Sequence, residues 1–243
     1  MRKMESSNPI FRKVSNAESY SSANTASFAG VTLKTGILLL MAVVAAIFAN
    51  SLIQSNQMDT LVTILSVSGI VVFVSVLIGT LIPRVVVPFA LLYAAAEGFV
   101  LGTLTIFMEM MFPENQIALT AILATGTIFG VMLLLYSLKV VRATPMFTKI
   151  MFGAMMGILI FSILSFFIAP LRELYTQNIL VAALFIAFGA FMLVLDFDRA
   201  QSIVESGADK KYEWTVSLGL MVTIVWIYVQ ILRFLLIILS NKD

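Results

Sequence analysis

The chain contains no cysteine and no histidine. The first absence removes disulfides and thiolate metal sites. The second removes imidazole ligands and proton shuttles, so any response to pH near neutrality falls to carboxylates. Charge is also scarce: Asp, Glu, Lys and Arg make up 12% of the 243 residues, against roughly a quarter in soluble domains. Hydrophobic residues make up 60%, and no long polar block sets them apart, so the composition predicts a polytopic membrane protein. Hydrolytic chemistry lacks its residues, because no intramembrane Ser/Lys or paired-Asp arrangement accompanies the missing His and Cys. An enzyme is therefore not expected.

What is present is a series of seven apolar stretches. Each is long enough to cross a hydrocarbon core of about 30 Å as a helix. They cover approximately 32–53, 60–82, 86–111, 117–138, 149–169, 178–199 and 214–239. Apolar residues run continuously instead of alternating, which excludes strands. Pro83, Pro88, Pro113, Pro145 and Pro170 fall at or near the boundaries, as helix punctuation does. The fold class expected is an all-α seven-helix bundle at 31–243, preceded by a flexible cytoplasmic tail at 1–30. That tail is polar and lacks the apolar run of a signal peptide. The connections, at 54–59, 83–85, 112–116, 139–148, 170–177 and 200–213, are too short to fold as separate domains.

Twelve of the fifteen Lys and Arg lie in the tail, the start of the first span and alternate connections, at Arg2, Lys3, Arg12, Lys13, Lys34, Arg84, Lys139, Arg142, Lys149, Arg199, Lys210 and Lys211. The opposite side has Arg172 and Lys242, while Arg233 falls inside the last span. Positive residues favour the cytoplasm. The expectation is an N-terminus inside and a C-terminus outside.

Polar residues inside the hydrocarbon are the candidates for function. Glu97 follows Arg84 by about 20 Å of helix, near mid-membrane. It is either structural glue bonded to a neighbouring helix or part of an ion pathway. Glu109 reads as interfacial. Asp196 and Asp198, in "LDFDR", point about 200° apart and cannot jointly grip one ion. Asp198 and Arg199 fit an ordinary helix end reaching headgroups and water. Asp196 can pair with Arg199 at i,i+3, yet a helix continuing to the natural stop at Gly207 leaves it about three turns inside. On the last span Thr223, Trp226, Gln230 and Arg233 form a polar seam that should face protein. Asp196 and Thr223 match in depth when counted from the 207–212 turn. Gly98 with Gly102 and Gly153 with Gly157, each pair at i,i+4, are expected helix contacts.

Three stretches resemble the Bax inhibitor family, the transmembrane Bax inhibitor motif proteins, in its bacterial form. They are "SNPIF" followed by "KTGILLL", then "LLYAAAEGFVLGTLT", and "VLDFDRAQSIVESGADKKYEWTVSLGLMVTIVWIYVQILRFLLIIL". The resemblance implies a bundle whose last helix is enclosed by the other six, and a pH-sensitive calcium leak in the bacterial cytoplasmic (inner) membrane. It also implies an aspartate pair across the last two spans. Asp196 matches the first member, and Thr223 stands where the second acid would be. Gln230 likewise stands where the subgroup carries an acid. The ion pathway or pH sensor would then involve Asp196, Asp198, Glu97, Thr223, Gln230 and Arg233. The alternative is a non-transporting adaptor that modulates membrane proteolysis or stress responses. Expected partners are the lipid bilayer, calcium as transported ion, and a membrane protease or other membrane protein. No cofactor, no nucleic acid and no defined metal site are assigned.

Overall fold

The computed structural model describes residues 25–241, so expectations resting on 1–24 and on Lys242 lie outside the described residues. Among the described residues there are eight helices: α1 (Phe28–Gln54), α2 (Met58–Leu81), α3 (Val86–Met111), α4 (Ile117–Ser137), α5 (Pro145–Phe167), α6 (Ala169–Gln177), α7 (Ile179–Glu205) and α8 (Tyr212–Ser240). All but α6 are long and apolar enough to cross a membrane. The single β feature described is an isolated antiparallel bridge between Thr25 and Asp209.

Local chemistry explains the boundaries. Ser27 caps α1 by accepting from Gly30 N at 3.0 Å. Thr144 caps α5 from the residue before Pro145, accepting from Phe147 N at 3.2 Å. Asn178 accepts from both Leu180 N and Val181 N to start α7. Such caps satisfy amides that a helix start leaves without partners. At the end of α7, Gly207 adopts φ 64°. Its N–H reaches Val204 O and that of Ala208 reaches Ile203 O, the paired bonds of a Schellman stop.

Several boundaries differ from the sequence expectation: α5 begins at Pro145, not 149, and α7 runs to Glu205, not 199. Helix α1 begins at Phe28, and residues 25–27 already lie against the 206–211 turn, where Ala26 N donates to Ala208 O at 2.7 Å. The 170–177 connection is largely helix α6, whose side chains are not buried. A nine-residue amphipathic segment beside longer apolar runs carries little periodic signal of its own.

Large side chains on the outer faces remain exposed, Phe166 at 78% for example, as expected where lipid replaces water as solvent. Three of the buried hydroxyls bond back to their own helix. Thr103 donates to Phe99 O, Thr105 to Leu101 O and Thr125 to Ala121 O. That arrangement satisfies these three donors within the hydrocarbon.

Helix α8 packs against α1, α2, α3, α4, α6 and α7. It does not touch α5, which packs on α6 and α7 instead, so contact with all six other spans is not made. Helices α1 and α3 approach most closely through glycine. A Cβ on Gly98 would sit 2.3 Å from Ala42 O, and one on Gly102 would sit 2.5 Å from Ala46 Cα. Gly153 and Gly157 correct the second half of that expectation. An added Cβ at either meets nothing within 4 Å, because this face of α5 has no helix beside it. Spacing alone does not say which face a neighbour takes.

Candidate functional site

Loops 82–85, 138–144 and 206–211, with residues 25–27, gather at one end of the bundle, here termed the basic end. Two and a half turns inside it, α7 and α8 run antiparallel and hold a polar contact between apolar neighbours. Thr223 Oγ1 donates to Asp196 Oδ2 at 2.5 Å. Asp196 is 9% exposed, and Thr223 is buried with it. Arg199 is exposed and makes no ion pair with Asp196 among the described residues. The i,i+3 pairing available from the sequence is not formed, since Arg199 reaches outward where solvent accommodates its charge.

The seam of α8 continues toward the far end. Gly189 lets α7 approach, with an added Cβ falling 2.7 Å from Ile227 Cγ1 and 2.9 Å from Trp226 Cδ1. Trp226 Nε1 donates to Phe185 O at 3.3 Å. Gln230 is 2% exposed, and its Oε1 has no partner among the described residues. The Arg233 guanidinium lies 4.1 Å from the Tyr175 ring centroid and 5.0 Å from that of Phe185. Aromatic faces thus receive a cation whose nitrogens have no hydrogen-bond partner among the described residues. The seam therefore faces protein, but it is a ladder with separate rungs.

The other candidates stand apart from Asp196. Asp198 is exposed and belongs to a polar face of α7 with Gln201, Ser202 and Glu205. Tyr136 of α4 donates to Gln201 Oε1 at 2.7 Å, and Gln201 Nε2 donates to Glu205 Oε1 at 2.6 Å. Glu97 is half-buried on α3 and has no hydrogen bond or ion pair among the described residues. Glu109 accepts from Ala118 N at 3.0 Å, tying the far end of α3 to the start of α4. No group of three or more metal-ligating side chains occurs among the described residues.

Sequence reasoning missed Glu213. It lies at the start of α8, 0% exposed, and accepts from Ser27 N at 2.8 Å, from Ser27 Oγ at 3.2 Å and from Lys34 Nζ. Lys34 also donates to Lys210 O and stands 5.4 Å from the Trp214 ring centroid. Close by, Ser217 Oγ donates to Val31 O at 2.9 Å. This clasp fastens the segment before α1 to α8 at the basic end. One signal existed: Lys34 in "LKTGILLL" and Glu213 in "YEWT" are charges of opposite sign, each at the mouth of an apolar run.

A cleft of about 1500 Å³ runs beside this core, between α1 and α3 on one side and α4 and α7 on the other, with α8 at its back. Helices α1 and α4 do not touch. Asp198 and Glu205 line the cleft, and Asp196 does not.

These features define an integral membrane protein with seven apolar spans and a buried carboxylate between the last two. Residues 8–240 match the family described as Bax inhibitor 1 like, and the chain belongs to that family. No curated protein and no solved structure matches the chain.

Proposed function

We propose that this protein is a pH-sensitive calcium leak of the bacterial cytoplasmic (inner) membrane, its N-terminus inside, with Asp196 as gate or sensor. The observation carrying this reading is the Asp196–Thr223 contact. A carboxylate inside the bundle, held by one hydroxyl, is costly to keep there and changes its interactions whenever a proton comes or goes. The reading is non-enzymatic. The basic end would lie in the cytoplasm, placing Asp196 behind the clasp of Glu213, Lys34 and Ser27. The sensor here would differ from the family's aspartate pair, since Thr223 contributes a hydroxyl in place of an acid.

The test is calcium and proton flux into proteoliposomes at several pH values. Asp196→Asn should alter flux and flatten its pH profile, and Asp198→Asn should do much less. Equal flux and equal profiles in all three proteins reject the gate. A second reading, a non-transporting adaptor that modulates membrane proteolysis or stress responses, is favoured by one observation. Asp196 stands outside the wall of the large cleft. Absence of flux in the wild type would select this reading.

A further inference from the structure

The cleft between α1 and α4 has features that the flux reading does not use. Its lining follows α1 from Phe28 to Asn50, about 33 Å of helix, matching the depth of a hydrocarbon core. At about 1500 Å³ it exceeds the roughly 300–1,000 Å³ of ordinary small-molecule pockets. Its walls are mainly apolar, and small residues such as Gly36, Ala46 and Gly126 keep it wide. An added Cβ at Gly36 or Gly126 meets nothing within 4 Å. The cleft is pinned at the far end, where Glu109 holds Ala118. Along its front no contact between α1 and α4 separates it from the bilayer. Hydrocarbon needs no polar partners along the apolar stretches of such walls.

Charge then selects the occupant. At the basic end the cleft is lined by Lys139 and Arg142, just after α4, and by Asp198 and Glu205 on the neighbouring α7. No ion pair joins these cations to these acids among the described residues. Both signs therefore remain available at the mouth of an apolar groove. We propose that the cleft binds an aminophospholipid from the leaflet at the basic end. One acyl chain lies between α1 and α4, the phosphate meets Lys139 and Arg142, and the ammonium meets Asp198 and Glu205. A headgroup carrying only negative charge satisfies half of this mouth and is repelled by the rest.

The test is native mass spectrometry of the full chain in detergent, after delipidation and addition of phosphatidylethanolamine or phosphatidylglycerol. One phosphatidylethanolamine should be retained per chain, in preference to phosphatidylglycerol. Gly126→Trp, which fills the cleft, should cut retention about 10-fold, a loss of about 1.4 kcal/mol. Gly157→Trp should leave it unchanged, since Gly157 is equally open but lies outside the cleft. Joint Asp198→Asn and Glu205→Gln replacement should abolish the headgroup preference while the circular dichroism stays that of the wild type. Undiminished retention by a helical Gly126→Trp protein overturns the proposal, as does equal retention of the two lipids by the wild type. Retention that appears only after residues 1–24 are deleted, or only when a dimer dissociates, would assign the cleft to the tail or to a second copy and also overturns it.

Discussion

Thr223 Oγ1 donates to Asp196 Oδ2 across 2.5 Å, joining α8 to α7 at a point where both side chains are buried. Removing the donor leaves the carboxylate in the bundle without it. Thr223→Val should cost about 1–3 kcal/mol of stability, while Thr223→Ser should retain most of it. Thermal melts in detergent decide between them. Thr223→Asp should instead strengthen the dependence of calcium flux on pH, since two carboxylates this close titrate as a coupled pair. A pH profile matching the wild type would count against Asp196 as sensor.

Glu213 and Lys34 form an ion pair whose acid is entirely buried. Breaking such a pair by deleting one partner is expensive, because the surviving charge stays desolvated. Glu213→Ala should lower stability by about 3–5 kcal/mol. Combining it with Lys34→Met should recover part of the loss. A double-mutant cycle by thermal or chemical denaturation in detergent checks both statements, and additive losses would contradict the pairing.

The two glycine pairs should now behave oppositely. Gly98→Ala drives a methyl into the backbone at Ala42 and should cost about 1–3 kcal/mol as overpacking. Gly157→Ala meets nothing and should leave the melting temperature unchanged or slightly raised, because alanine favours helix. Detergent melts of the two variants side by side suffice.

Gly207 holds φ 64° at the end of α7. Gly207→Ala should cost about 1–2 kcal/mol, the penalty of a Cβ in the left-handed region. Gly207→Asn should cost less, since asparagine tolerates that conformation. Chemical unfolding in mixed micelles would register the difference.

Orientation follows from charge and can be read directly. Reporters fused after Asn56, Arg142, Leu174 and Asp243 should report outside, inside, outside and outside. A cytoplasmic reading at Asp243 would require α8 to be re-entrant and would reverse the placement of the C-terminus.

Seven spans and their approximate limits were legible because each is a long apolar run ended by proline, glycine or a polar cap. Gly207 marked the end of α7 for the reason realised in the structure: its left-handed φ costs glycine little. The pairing of Asp196 with Thr223 was also accessible, since equal counts from one tight turn place two residues at equal depth on adjacent helices. Other features depended on which helices become neighbours. Gly98 and Gly157 have the same local spacing, yet only the first meets another backbone. Glu213 drew no separate reading from the sequence, because its burial depends on residues 25–27 and Lys34 closing over it. The cleft has no signature in any one segment, because α1 and α4 leave it open by not touching. Periodicity and depth are properties of a single helix and can be read along the chain. Contact between helices far apart in sequence is set by the packing of all of them together, and only the tertiary structure decided it.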